Sequence, residues 1–251
     1  MSATVETPPL GSCGRITTTA NLLAGATRGV LQVAARSLGG YGQVEQCVAF
    51  DGSPLRAMPE ALLALLEDTD GWEMRIGVAV RSSGAATLPI ALNVAFASWR
   101  FPTEYGAPGG GAARYYVADE HVDRVRAALE RFSVPPTILV DAANEVAVCW
   151  RLDAPLCDMA RARGLQRALA AALGADVDER PQPGTRPAVP ADDPGVFLPL
   201  AGIVRNMGAA DPPVITLPVV DATRAYSIHT FEHAIADLTE RVAPRKKASR
   251  A

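Results

Sequence analysis

Four acidic side chains stand where a metal ion could be held: Asp119, Glu120, Asp141 and Asp153. Carboxylate oxygens are the ligands that Mg²⁺ and Mn²⁺ prefer in proteins. Asp141 ends an apolar run and Asp153 precedes Pro155, however, so turn chemistry explains both positions without a metal. We keep Asp119, Asp141 and Asp153 as the candidate ligands of an active enzyme, which would use Mg²⁺ or Mn²⁺.

A second pattern lies near the end of the chain, where His229-Thr230-Phe231-Glu232-His233 fits the H-x-x-E-H arrangement of one class of zinc peptidase. At helical spacing the two histidines share a face, as two ligands of one zinc ion must. Such an enzyme needs a further carboxylate ligand well downstream of the motif. We therefore interpret His229 and His233 as ordinary, partly exposed histidines and predict no metal centre.

Glycine and cysteine spacings indicate no further chemistry. The glycine-rich run at 106–113 resembles a phosphate-binding loop, but no Lys-Ser or Lys-Thr follows it, which predicts a linker. The four cysteines form no Cys-x-x-Cys pair, which favours a reduced, cytoplasmic chain. No window reaches the roughly 18 apolar residues that a bilayer span needs, so we expect no membrane partner.

Charge is distributed unevenly along the chain. The net charge is −3, but the residues after Glu240 carry five basic side chains and no acid, which leaves the first 240 residues at −8. Such an acidic body argues against sequence-blind DNA binding over the whole surface. We predict that nucleic acid is contacted by the tail and by arginines at strand ends, with Trp99 or Trp150 stacking a base if exposed. The candidate basic residues are Arg81, Arg100, Arg151, Arg205, Arg245, Lys246, Lys247 and Arg250.

The hydrophobic periodicity predicts an α+β fold with a mixed, largely antiparallel sheet and flanking helices. Short apolar runs bounded by turn signals predict neighbouring strands near 74–80, 91–98, 137–141 and 145–151, the last two forming a hairpin. Helical spacing predicts helices at 17–37, 59–66, 121–132, 156–174 and 230–242. We divide the chain into a flexible lead-in (1–16), one domain (17–240) and a basic disordered tail (241–251).

From Val44 to about Asp221, this order of elements resembles the RepB-like branch of the archaeo-eukaryotic primase-polymerase superfamily, which plasmids, phages and integrated elements carry. The resemblance rests mainly on PPTILVDAANEVAVCWRLDAPL, with weaker support from ALNVAFASW and FLPLAGIVRNMG. It implies an RRM-like core and two-metal nucleotidyl transfer. Two carboxylates at alternate positions of a core strand, a third from a later strand, and a histidine near the triphosphate would carry that chemistry.

This sequence departs from the family pattern at each of those places. The core strand at 93–98 contains no acid and has Ala95 and Ala97 at alternate positions. Ala147 stands where the resemblance implies the histidine, and only Gly202 clearly persists in the last motif. The resemblance thus implies a primase-polymerase-like domain whose catalytic motifs are degenerate.

Our hypothesis is a nucleic-acid-binding or partner subunit, without cofactor, in the replication of a plasmid, phage or other mobile element. It would bind DNA or RNA and meet a replication protein such as an intact primase or helicase. One alternative is an active nucleotidyltransferase with displaced carboxylates. The other is a protein-interaction module that does not bind nucleic acid, which the acidic body would suit.

Overall fold

The computed structural model describes residues 12–37, 43–56, 72–83, 88–101, 104–106, 114–116, 119–142, 145–175, 197–199 and 216–242. Its helices are α1 (Ser12–Ala24), α2 (Asp119–Arg131), α3 (Met159–Leu173) and α4 (Ile228–Val242). Its strands are β1 (Gly29–Ser37), β2 (Gln43–Phe50), β3 (Trp72–Gly77), β4 (Ala79–Arg81), β5 (Pro89–Arg100), β6 (Glu104–Gly106), β7 (Arg114–Tyr116), β8 (Ile138–Asp141), β9 (Glu145–Leu156), β10 (Phe197–Pro199) and β11 (Thr216–Val220).

Nine of these strands form one sheet in the order β10-β3-β1-β4-β5-β9-β8-β11, with β2 also paired to β1. Every strand pair in it is antiparallel, and an isolated bridge between Leu152 and Tyr226 is parallel. Strands β6 and β7 pair separately. The predicted α+β class, the neighbouring strands near 91–98, 137–141 and 145–151 and the β8–β9 hairpin are confirmed, but the strand predicted at 74–80 is two strands, of which only β4 pairs with β5.

The sheet divides at Val78, between β3 and β4. Both strands pair with β1, but on their other side β4 pairs with β5, whereas β3 pairs with β10. Pro199 of β10 lies opposite Arg75 of β3. Because of this division, β3 and β10 lie near the second half of β5 and the start of β9.

An aromatic cluster joins β9 to the helices. The Trp150 ring meets Phe132, just after α2, and Phe231 of α4 edge to face, at centroid distances of 5.4 and 5.7 Å. The Trp150 indole Nε1 donates a hydrogen bond to the Val134 carbonyl at 2.8 Å, so its polar atom is satisfied inside the core. No described helix is long and apolar enough to cross a bilayer.

The prediction of one helix over 17–37 is wrong: α1 ends at Ala24 and 29–37 form β1. Gly25 follows the helix with a φ of +53°, a left-handed conformation that ends helices. The Asn93 amide of β5 then donates to the carbonyls of Leu23 and Ala24 at 3.0 and 2.7 Å. Helical spacing alone did not show that α1 ends here, because the side chain that caps the helix comes from a distant strand.

Other predicted boundaries differ by smaller amounts. Helix α1 begins at Ser12, inside the segment predicted as a flexible lead-in, and α4 extends to Val242, two residues into the predicted tail. The predicted helix at 59–66, most of the glycine-rich run and residues 243–251 lie outside the described ranges.

Candidate functional site

The β5–β9 pair has two faces with different surroundings. Ala95 lies directly opposite Trp150, so it belongs to the face on which Trp150 packs against the helices. Because side chains alternate along a strand, Ala97 and Trp99 share this helix-covered face. The opposite face carries Phe96, Ser98 and Arg100 of β5 and Glu145, Ala147 and Cys149 of β9.

This alternation changes the interpretation of the core strand. Ala95 and Ala97 stand at the positions where the resemblance implies paired carboxylates, and both are buried on the helix-covered face. The alternate positions on the opposite face, next to Glu145, are occupied by Ser98 and Arg100. Ala147, which stands at the place of the implied histidine, lies on that opposite face and pairs with Ser98.

Four polar side chains meet on the opposite face and form what we call the Glu145 cluster: Arg75, Ser98, Arg100 and Glu145. Arg75 makes a bidentate contact, from Nη1 to Oε2 and from Nη2 to Oε1 of Glu145, both at 2.8 Å. The Ser98 hydroxyl donates to Oε1 at 2.9 Å, and Arg100 Nε lies 3.4 Å from Oε2. The cluster thus links β3, β5 and β9.

Glu145 is ionised within this cluster although only 2% of its side chain is exposed. Burial by itself would raise its pKa, because a charge is poorly solvated in the protein interior. The charge and hydrogen bonds of Arg75, then the charge of Arg100 and the Ser98 hydrogen bond, outweigh burial and lower the pKa of Glu145 to about 2. With two guanidinium groups and one carboxylate, the cluster has a net charge of about +1.

The Glu145 cluster does not fit the metal ions of the family chemistry. A divalent cation needs carboxylate oxygens whose lone pairs can reach it. Both oxygens of Glu145 already accept hydrogen bonds, and a cation here would face two positive charges. Across the ranges that the structure describes, no group of three or more histidine, cysteine, aspartate or glutamate side chains could hold a metal.

Of the three acids proposed for an active enzyme, Asp141 and Asp153 lie far apart along the sheet. Asp141 ends β8 opposite Val146 and projects from the helix-covered face. Asp153 is exposed on β9, seven residues beyond Val146, which is about 23 Å along a strand. Asp119 is the first residue of α2.

The H-x-x-E-H segment lies at the start of α4 and is largely solvated. His229 is 78% exposed, and its Nδ1 lies 3.3 Å from Glu232 Oε2. Glu232 also accepts from Arg161 of α3 at 2.7 Å, and this hydrogen bond is the main reason that its pKa is lowered. The motif glutamate therefore joins two helices.

Cys149 of β9 is buried, and burial raises the pKa of its thiol to about 12, which excludes a thiolate nucleophile near neutral pH.

The predicted nucleic-acid contacts fall in several places. Arg100 and Arg151 share the opposite face of the β5–β9 pair, and Arg151 also donates to the Ala222 carbonyl at 3.0 Å. Arg81 lies at the end of β4 beside the start of β5, about eleven residues from Arg100 along that strand. Arg205, Arg245, Lys246, Lys247 and Arg250 lie outside the described ranges.

The condition set for base stacking, that Trp99 or Trp150 is exposed, is not met, because both side chains are completely buried. The sequence analysis also missed Arg75 and Glu145. Their signal was a charge next to apolar residues, Arg75 between Met74 and Ile76 and Glu145 before the apolar run 146–150, since buried charges must be paired.

The fold can be compared with known proteins. No protein-family model and no curated protein matches this sequence. Among solved structures, the primase-polymerase (PrimPol) AEP domain of cyanophage S-2L superposes with a TM-score of 0.58 at 15% identity, covering 88% of this chain and 96% of that chain. The catalytic domain of primase RepB', solved in complex with initiator DNA, gives a TM-score of 0.51 at 9% identity, covering 94% of this chain and 100% of that chain.

The chain therefore has the fold of the primase-polymerase domains, as the order of its elements predicted. The likeness extends over nearly the whole of both chains. It describes the scaffold, and the chemistry must be argued from the side chains that this scaffold carries.

Proposed function

We propose that this chain binds nucleic acid during the replication of a plasmid, phage or other mobile element and does not itself transfer nucleotides. The observation that carries the proposal is the Glu145 cluster. Its one carboxylate is bound by Arg75, Ser98 and Arg100, so the cluster offers no free carboxylate to a metal ion, and its four side chains carry a formal charge of about +1.

Arg100 is the member of the cluster best placed to meet a phosphate. Its side chain is 49% exposed, compared with 16% for Arg75, and Arg151 lies on the same face. A guanidinium group suits phosphate because its donors form a planar fork. The catalytic activity would come from a partner such as an intact primase or a helicase, and this chain would contribute binding.

Two measurements on the full chain in one buffer test the proposal. Primer synthesis and primer extension with Mg²⁺ or Mn²⁺ should give no incorporation, whereas labelled single-stranded DNA should bind in a salt-sensitive way. Arg100→Gln should reduce the slope of log affinity against log salt by about 0.7, the value for one phosphate contact on a single strand. The matched control is Arg126→Gln, because Arg126 is an exposed arginine on α2.

Metal-dependent incorporation that disappears in Asp141→Ala would overturn the proposal and establish the active enzyme with displaced carboxylates. A full chain that binds neither DNA nor RNA at low salt would leave a protein as the target of this module.

A further inference from the structure

A groove of about 620 Å³ lies where β1 begins and β2 ends. Its floor is apolar and includes Val30 and Phe50, which are 7% and 5% exposed. Its rim carries the exposed side chains of Arg28 and Arg56. The groove is separate from the Glu145 cluster: Arg81 pairs with Val30, whereas Arg75 pairs with Ala34, four residues or about 13 Å further along β1.

The loop that carries Arg56 is anchored by side-chain hydrogen bonds. Asp51 Oδ1 accepts a hydrogen bond from the Ser53 backbone at 2.8 Å. Asn21 of α1 holds Leu55 by two reciprocal bonds, in which the Leu55 amide donates to Oδ1 at 2.7 Å and Nδ2 donates to the Leu55 carbonyl at 3.0 Å. A ligand would therefore meet a preorganised wall and lose little affinity to loop ordering.

The charges on the rim favour an anion. Within the described ranges, neither Arg28 nor Arg56 forms an ion pair or hydrogen bond, whereas Arg161 and Arg224 each pair with an acid. Asp51 also lies on the rim, and its pKa is lowered, first by the Ser53 backbone and to a smaller extent by the charge of Arg28. The groove thus has a net charge of about +1 on a chain whose net charge is −3.

We propose that this groove binds single-stranded nucleic acid, with Arg28 and Arg56 on backbone phosphates and a sugar or base against the apolar floor. Sites for small ligands enclose about 70–90% of the ligand. This groove has an exposed rim on Arg28, Asp51, Ser53 and Arg56, so it suits a segment of an extended strand that enters and leaves. The inference rests on the proposed function and adds a second contact surface to it.

The test compares two double variants of the full chain in a fluorescence-anisotropy titration with a labelled 20-nucleotide single-stranded DNA at several salt concentrations. Arg28→Gln/Arg56→Gln should weaken binding at least about tenfold at low salt and reduce the salt slope by about 1.4. Arg131→Gln/Arg163→Gln removes two exposed arginines of α2 and α3. This control should change the affinity and the salt slope much less than the groove variant does. All four side chains are exposed, so the melting temperatures should stay near the wild-type value.

Hydrogen exchange supplies a second readout, because bound strand should protect the backbone amides of residues 49–56. Wild-type binding that is unchanged in the groove variant would overturn the groove and leave the proposed function intact. Equal losses in both double variants would also overturn it, since they would show general charge attraction. Absence of wild-type binding would refute both proposals together.

Discussion

At the scale of single residues, Glu145 shows how a buried charge is kept in this fold. It begins β9, and its partners come from two distant places in the sequence: the middle of β3 and the end of β5. A buried ion pair adds little net stability when compared with an apolar pair of the same shape. Removing one partner, however, leaves the other charge buried without compensation, which is strongly destabilising.

We expect Glu145→Gln to reduce the free energy of unfolding by about 3 kcal/mol at pH 7, because a pKa lowered from 4.5 to about 2 corresponds to roughly that energy. The folded pKa is the lower one, so this stabilisation is complete above the unfolded pKa near 4.5 and is lost as the pH falls toward 2. Urea unfolding of wild type and variant between pH 7 and pH 2.5 should therefore give free energies that converge.

Glu130→Gln is the matched control, because Glu130 is an exposed glutamate on α2. It should change the free energy of unfolding by less than about 0.5 kcal/mol throughout. A difference between wild type and Glu145→Gln that stays constant across the acid range would show that the ion pair does not produce the stability.

At the scale of elements, the boundary between α1 and β1 depends on one side chain of β5. Asn93 is 4% exposed, donates to the last carbonyls of α1 and accepts from the Thr27 hydroxyl at 3.0 Å. A side chain Cβ at Gly25 would lie 2.8 Å from the Asn93 amide, closer than real Cβ atoms come. Glycine is thus required at 25 for its left-handed φ and for the space that Asn93 occupies.

We expect Gly25→Ala to destabilise the protein more than Gly174→Ala. Both glycines have a left-handed φ, +53° and +62°, so alanine should cost about 1–2 kcal/mol at either position. A Cβ at Gly174 would contact nothing within 4 Å, whereas at Gly25 it must displace Asn93, which should add about 1–3 kcal/mol. Urea denaturation of the two variants measures the difference, and equal losses would contradict the role assigned to Asn93.

At the scale of the whole molecule, an acidic chain with a basic end should bind phosphate through that end. Replacing Arg245, Lys246, Lys247 and Arg250 by glutamine removes four positive charges. If the tail contacts phosphates, the slope of log affinity against log salt on single-stranded DNA should fall by about 3. Anisotropy titrations of wild type and the quadruple variant, at matched salt concentrations, measure this change.

An unchanged slope in the quadruple variant would show that the tail does not contribute to binding. The groove and Arg100 variants use the same titration, so the contributions of the three surfaces can be compared directly. If they act independently, the reductions in slope should add.

The sequence by itself determined the fold class, the strands β5, β8 and β9, the β8–β9 hairpin and the likeness to primase-polymerase domains, because local periodicity and turn residues carry that information. It did not locate the end of α1, since Asn93 acts across 69 residues. It also left open which face of β5 bears each side chain.

Only the tertiary structure decided those points. The pairing of Ala95 with Trp150 places 95 and 97 in the core and brings Ser98 and Arg100 to Glu145. The arrangement of β3 brings Arg75 to the same carboxylate from 70 residues away. Spacing in the sequence cannot reveal such a meeting, because which charges pair depends on strand order and register, and both are set by packing of the whole sheet.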